Sequence, residues 1–306
     1  MANTLGSGRA VLLLGLVILL WGVNWPIMKE GLHYLPPLWF AFARVVLGAL
    51  ALAALLSVRG NLRRPPRADL PVLLSVGLLQ IGAFLALTHI ALLYVEAGRS
   101  AILAYTTPLW VVPLAALMLG ERIGPARLAA MACGLAGLAV LFNPLAVDYG
   151  DRAALIGNGM LIASAVLWAL TIVHVRGHRW QASPLDLMPW QLLLGAGVLL
   201  PLALIIEPHP DIKWGWPLAV VLAYNGPLAT AFCFWAFVTV NRSLQATTTS
   251  LGSLGVPVVG MLAAAIALGE PLTAAKLLGL GLILGGVVLL SITAARDRPP
   301  SAAARP

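Results

Sequence analysis

Polar and aromatic side chains set deep in apolar stretches are the groups in this chain that could do chemistry. In the stretch 10–30, Trp21, Asn24, Trp25 and Met28 follow i, i+3, i+4, i+7 spacing and share one helical face. An amide facing lipid would go unpaired, so this face is expected to point inward, toward a cavity or a neighbouring helix. Gln80 and His89 share the stretch 70–93. The imidazole could bond a carboxylate or an amine, or titrate near neutral pH; as a lone helical histidine it could equally be structural. Tyr105, Thr106 and Thr107 precede Pro108, which removes one intrahelical hydrogen bond and frees the Ala104 carbonyl. A broken turn beside hydroxyls suits a small zwitterion. Trp110 lies just beyond it, and Ser164, Trp168, Thr171, Tyr224, Asn225, Pro227 and Thr230 follow in two later stretches. Thr247 to Ser250, Ser253 and Pro257 form a second polar, proline-containing segment. Indoles with a few polar groups suit a flat apolar side chain on a polar head. Aromatic or large neutral amino acids fit that description, and so do many drugs.

Substrate contacts are therefore assigned to Trp21, Asn24, Trp25, Gln80, His89, Tyr105, Thr106, Trp110, Trp168, Thr171, Tyr224, Asn225 and Ser253. Arg44, Pro108 and Pro257 are assigned gating or structural parts. Arg44 is the one charge near the middle of an apolar stretch. It could bond carbonyls and bridge helices, or contact a carboxylate or a gate.

Other chemistries find no support. No apolar stretch carries an Asp or Glu at its centre, which disfavours proton exchange against cationic drugs. Paired carboxylates, a metal-ligand array and a Ser–His pair at convincing depth are all missing, Ser100 and His89 being the nearest to a dyad. No enzyme, cofactor or metal is expected. Cys133 and Cys233 sit in apolar runs and read as small buried hydrophobes.

Membrane helices must position these groups. Of 306 residues, 60% are apolar and 10% charged. A soluble domain carries about 25% charged residues, so the chain reads as an all-α integral membrane protein. With about 20 residues needed per crossing, ten spans emerge: 10–30, 37–57, 70–93, 98–119, 126–143, 153–175, 186–206, 215–238, 245–268 and 273–294. The first reads as a retained helix, because no small-residue cleavage site follows it. With a cytoplasmic N-terminus, thirteen Lys and Arg fall on the cytoplasmic side and five on the other, so both termini are expected inside. The net charge of +8 then reflects topology, and no nucleic-acid partner is implied. Arg63, Arg64 and Arg67 in the first inner loop read as topology determinants that meet lipid headgroups. Gly281 and Gly285 form a G-x-x-x-G in the last span, with Gly279 and Gly286 beside them, read as close packing within the chain; a monomer is expected and a dimer left open.

The chain also repeats itself. Leu20-Trp21 matches Leu167-Trp168 at an offset of 147, which also pairs Arg44 with Gln191 and Gly48 with Gly195. Leu119-Gly120-Glu121 matches Leu268-Gly269-Glu270 at an offset of 149. Residues 1–145 and 152–295 are thus expected to be two copies of a five-helix unit, followed by a cytoplasmic tail at 296–306. Five is odd, so the copies must enter the membrane from opposite sides, which is the usual basis of alternating access.

These features resemble the drug/metabolite transporter superfamily and its EamA-type ten-helix exporters. The resemblance rests on Leu20 to Asn24, Arg44, Ala104 to Pro108, Leu119 to Arg122, and Pro257 to Pro271. Within that group the chain is most similar to the YddG-type aromatic amino-acid exporters. The resemblance implies a basket of helices, with spans 1–4 and 6–9 around a central cavity and spans 5 and 10 outside. It also implies export of small metabolites across the bacterial inner membrane. A nucleotide-sugar carrier of the same superfamily would need several mid-span cations for the phosphates, and there is one.

Overall fold

The computed structural model describes residues 7–60, 62–120, 123–142, 152–243 and 254–296. All regular structure among them is helical. Apolar stretches rich in Leu, Ala and Val adopt helices because a helix satisfies its own backbone in lipid. In chain order these are α1 (Ser7–Gly31), α2 (Pro37–Val58), α3 (Leu70–Ser75), α4 (Phe84–Tyr94), α5 (Ala97–Ala104) and α6 (Thr107–Leu119). There follow α7 (Pro125–Phe142), α8 (Arg152–Gly177), α9 (Pro184–Ile206), α10 (Trp216–Ala223), α11 (Cys233–Ser243), α12 (Gly255–Leu268) and α13 (Ala274–Arg296).

Among the described residues, seven stretches are long and apolar enough to cross a membrane: 8–31, 37–58, 67–94, 97–118, 152–175, 185–206 and 216–237. Three shorter apolar helices, Leu128–Leu141, Gly255–Leu268 and Ala274–Leu289, lie where the remaining spans are expected. Three crossings are irregular. Wide π-turns at Val76–Ala83 and Tyr224–Phe232 join α3 to α4 and α10 to α11. The third breaks at Tyr105–Thr106, between α5 and α6. Gly120 and Gly269 end α6 and α12 with φ of 68° and 67°, where a side chain would be strained.

Glycines set the closest helix approaches. A Cβ on Gly48 of α2 would lie 2.8 Å from Thr230 and 3.2 Å from the Gly226 carbonyl. A Cβ on Gly195 of α9 would lie 2.4 Å from Ile81 and 3.2 Å from the Gly77 carbonyl. Thus α2 packs on the second π-segment as α9 packs on the first. In the same way α1 packs on α12 and α6 on α8. Helices α7 and α13 cross at Gly137, Gly279, Gly134 and Gly286. The intramolecular packing expected of the last span is there, but its contact glycines are Gly279 and Gly286. Nothing approaches Gly281 within 4 Å, because the phase of the helix turns that residue away.

Acidic residues at helix ends tie distant helices together. The Glu270 carboxylate accepts from the Ala97 and Gly98 amides at 2.6 and 2.9 Å, opening α5. Glu207, just past α9, accepts from the Leu38 and Trp39 amides at 3.1 and 3.2 Å, and its carbonyl takes the Trp39 indole N–H. Burial pushes the Glu207 carboxyl up from its ordinary 4.5, and the two amides oppose that shift. A raised folded value means a stabilising contribution present at low pH and lost as pH climbs from about 4.5 through the raised value. Glu207→Gln keeps an acceptor and removes the charge. Thermal unfolding across a pH series is expected to show that loss in the wild type and a flatter profile in the variant.

Candidate functional site

Two side-chain groups meet where α1, α2 and the second π-segment come together. The first is polar. Arg44 is 4% exposed, and it donates through Nε to Thr230 Oγ1 at 3.2 Å and through Nη1 to Met28 Sδ at 3.1 Å. The Asn24 amide nitrogen donates to the same sulfur at 2.9 Å. The Thr230 hydroxyl donates to the Asn225 carbonyl at 2.7 Å, five residues back, so the π-turn is wired to the guanidinium. Such turns recur at functional sites because they displace side chains from regular helical positions. The Asn225 amide nitrogen bonds the Val221 carbonyl, and the Tyr224 hydroxyl bonds the Leu20 carbonyl at 2.6 Å. Tyr105 lies half-buried at the break between α5 and α6. Among the described residues no acidic side chain pairs with Arg44.

The second group is aromatic. Trp21 packs edge-on to Phe234 at 5.7 Å and against Phe237 at 5.2 Å. Its indole N–H bonds the Ala229 carbonyl, one residue before Thr230. Trp168 stacks on the far side of the cluster, 6.4 Å from Phe234 and 4.6 Å from Phe84. The indoles of Trp21 and Trp168 are therefore bridged by Phe234.

Other assigned residues are placed elsewhere. Trp25 turns into the core, where its ring packs beside Gly260 of α12 and it is 5% exposed. His89 is fully buried, edge-on to Phe40, with Nδ1 on the Leu85 carbonyl at 2.7 Å and Nε2 unpartnered. At the break between α5 and α6, Thr106 bonds the Leu103 carbonyl and receives the Trp110 indole N–H at 3.2 Å. The Ala104 carbonyl expected to be left free by Pro108 is taken by the Thr107 hydroxyl at 3.1 Å, because that side chain reaches back one turn. Thr171 and Ser164 bond carbonyls of their own helix. Gln80 lies partly exposed in the first π-segment, and Pro257 is buried in α12. Ser253, Thr247 to Ser250, Glu121 and Arg122 lie outside the described residues. An apolar groove of about 430 Å³, lined by Leu47, Trp214, Leu218, Leu222 and Pro227 among others, borders α2 and α10 and includes none of the assigned residues.

Sequence reasoning missed Phe84 and Phe234. Phe84 follows Gln80 by four residues and Phe234 follows Thr230 by four, so helical spacing from the polar residues could have found both rings. Cys233 is fully buried, as expected of a thiol in an apolar run.

The EamA-like transporter family matches residues 8–143 and again residues 155–292. The chain belongs to that family. It is therefore a multi-pass membrane transporter and not an enzyme. Among EamA relatives, the uncharacterized transporter YoaV of Bacillus subtilis is 28% identical over 282 residues, spanning 92% of this chain and 96% of its own. A probable amino-acid metabolite efflux pump of Salmonella typhimurium is 28% identical, spanning 90% of this chain and 92% of its own. A crystal structure 26% identical in sequence superposes with a TM-score of 0.65, over 96% of this chain and 100% of the other.

Proposed function

We propose that this EamA protein exports small neutral or zwitterionic metabolites, above all aromatic and other large neutral amino acids, across the bacterial inner membrane. The observation that carries the reading is the aromatic tier of Trp21, Phe84, Trp168 and Phe234 set beside the buried polar group around Arg44. The name of the Salmonella relative, an amino-acid metabolite efflux pump, agrees with it. Transport proceeds by alternating access between inverted repeats at 1–145 and 152–295, in ten spans with both termini and the 296–306 tail cytoplasmic. Support comes from paired geometry. Gly48 with Gly226 and Gly195 with Gly77 make the same kind of contact at offsets of 147 and 149 residues. The two π-segments begin 148 residues apart. Cargo moves down its gradient, because His89 is sealed in the core and the spans hold no mid-depth carboxylate.

Overexpression in cells is expected to confer resistance to toxic aromatic amino-acid analogues, and Trp21→Ala, Trp168→Ala or Tyr105→Ala is expected to abolish it. Unchanged sensitivity on overexpression of the wild type would overturn the assignment. In proteoliposomes, steep His89-dependent accumulation driven by a pH gradient would overturn the downhill reading. A second cargo class, uncharged drugs with flat rings, fits the same aromatic tier, and competition against tryptophan flux separates the two.

A further inference from the structure

We infer that Arg44, Asn24 and Asn225 form the head-group site of this transporter, with Arg44 and Asn24 taking the α-carboxylate of an aromatic amino acid and the Asn oxygens its ammonium. The inference rests on the amino-acid reading above and names what recognises the cargo. A buried guanidinium has five N–H donors, and Thr230 and Met28 occupy two of them. One of those acceptors is a thioether, which is weak. Yet two donors from different helices, Arg44 Nη1 and the Asn24 amide, converge on that one sulfur at 3.1 and 2.9 Å. Two convergent donors of this kind, one of them charged, are what a carboxylate binds best. Met28 is unbranched and flexible, so its sulfur can yield the position to an oxygen anion.

The two spans that carry Asn24 and Asn225 also hold two acceptors with nothing to accept. Asn24 Oδ1 and Asn225 Oδ1 are both buried without a hydrogen-bond partner. Their residues are 5% and 0% exposed. An ammonium supplies three donors and would satisfy both. Direction along the helices completes the fit. On α1 the order is Trp21, Asn24, Met28; on the facing span it is Phe234, Thr230, Asn225. The charged end of a ligand at Arg44 therefore places its side chain toward Trp21, Phe234 and Trp168. The positions that pair with Arg44 and Asn24 at an offset of 147 are Gln191 and Thr171, and the one that pairs with Asn225 at 149 is Val76. The paired positions therefore carry no cation to meet a carboxylate.

The test is binding of L-tryptophan, tryptamine and indole-3-propionate to the full-length protein in lipid nanodiscs by calorimetry. Tryptamine lacks the carboxylate and indole-3-propionate lacks the ammonium. The wild type is expected to prefer tryptophan to tryptamine by about 30-fold or more, from charge-assisted hydrogen bonds. Arg44→Met is expected to erase that preference while leaving tryptamine affinity within about 3-fold. Asn225→Leu is expected to weaken tryptophan relative to indole-3-propionate. Should Arg44→Met not fold, Thr230→Val removes the hydroxyl that aligns the guanidinium and is expected to cut the preference by about 10-fold. A folded Arg44→Met protein with the full preference, or a Thr230→Val protein with it where Arg44→Met does not fold, overturns the head-group site. So does equal wild-type affinity for tryptophan and tryptamine. If that protein still exports tryptophan, the amino-acid reading survives; if it neither binds nor exports it, both fail.

Discussion

Gly137→Leu is expected to lower stability by about 3 kcal/mol or more, at the upper end for overpacked sites. A Cβ at that position would lie 2.7 Å from the Gly279 carbonyl oxygen and 2.8 Å from the Ile283 amide nitrogen. Both are backbone atoms, so no rotamer change relieves the clash and α7 must part from α13. Between helices in lipid, close packing supplies most of the attraction, because the solvent is as apolar as the side chains. Gly281→Leu is the internal control. A Cβ there would meet nothing within 4 Å, and the substitution is expected to shift stability by about 0.5 kcal/mol or less. Thermal unfolding in detergent reads both. Maleimide labelling of Cys133 adds a local probe, since its thiol points at the Leu282 carbonyl across this crossing at 3.5 Å. Faster labelling in Gly137→Leu and not in Gly281→Leu is the expected pattern. Equal stability of the two variants would mean that the crossing does not hold the helices together.

The second large effect is expected at Asp69. This carboxylate is fully buried and accepts from the Ala182 amide at 2.7 Å, the Gln181 amide at 3.1 Å and His178 Nε2 at 2.8 Å. It thereby fixes the turn between α8 and α9. Asp69→Ala removes the acceptor for three donors at once. An unmet buried donor costs about 1–3 kcal/mol, but these donors belong to partly exposed residues that water can reach, so a total of about 2 kcal/mol is expected once the turn has relaxed. Asp69→Asn keeps one carbonyl oxygen and is expected to lose about half as much. Hydrogen exchange at Gln181 and Ala182 should accelerate in step with the loss of stability. Slow exchange at both amides in a stable Asp69→Ala protein would show that the turn is held by something else.

The membrane-spanning helices were legible because a single physical rule, about 20 apolar residues per crossing, places them. Seven fall where the sequence puts them, and three shorter apolar helices lie at the other positions. Arg44 and Asn24 were also legible, since a charge or an amide deep in an apolar run must find a partner. The identity of that partner was not. Nothing in a lone methionine marks Met28 as the acceptor on which two donors converge; that depends on how α1 and α2 are rotated about their axes. The same rotation explains the last span, where spacing singled out Gly281 and Gly285 and packing selects Gly279 and Gly286. Duplication paired Trp21 with Trp168, yet the ring between them comes from a third helix that the pairing does not mention. Asp69 carried no signal in the sequence, because its amide partners lie more than 100 residues away.

The wide turns at Val76–Ala83 and Tyr224–Phe232 also bear on how this chain can change in length. A π-turn holds a residue more than an α-turn needs. Deleting one residue inside 224–232 lets the segment close into regular helix, with Trp216–Ala223 and Cys233–Ser243 still facing their neighbours. The same deletion in α2 or α9 would swing everything beyond it by about 100° and turn the buried face to lipid. Single-residue gaps among related chains should therefore collect in these two segments and at the ends of the helices, and avoid the regular crossings.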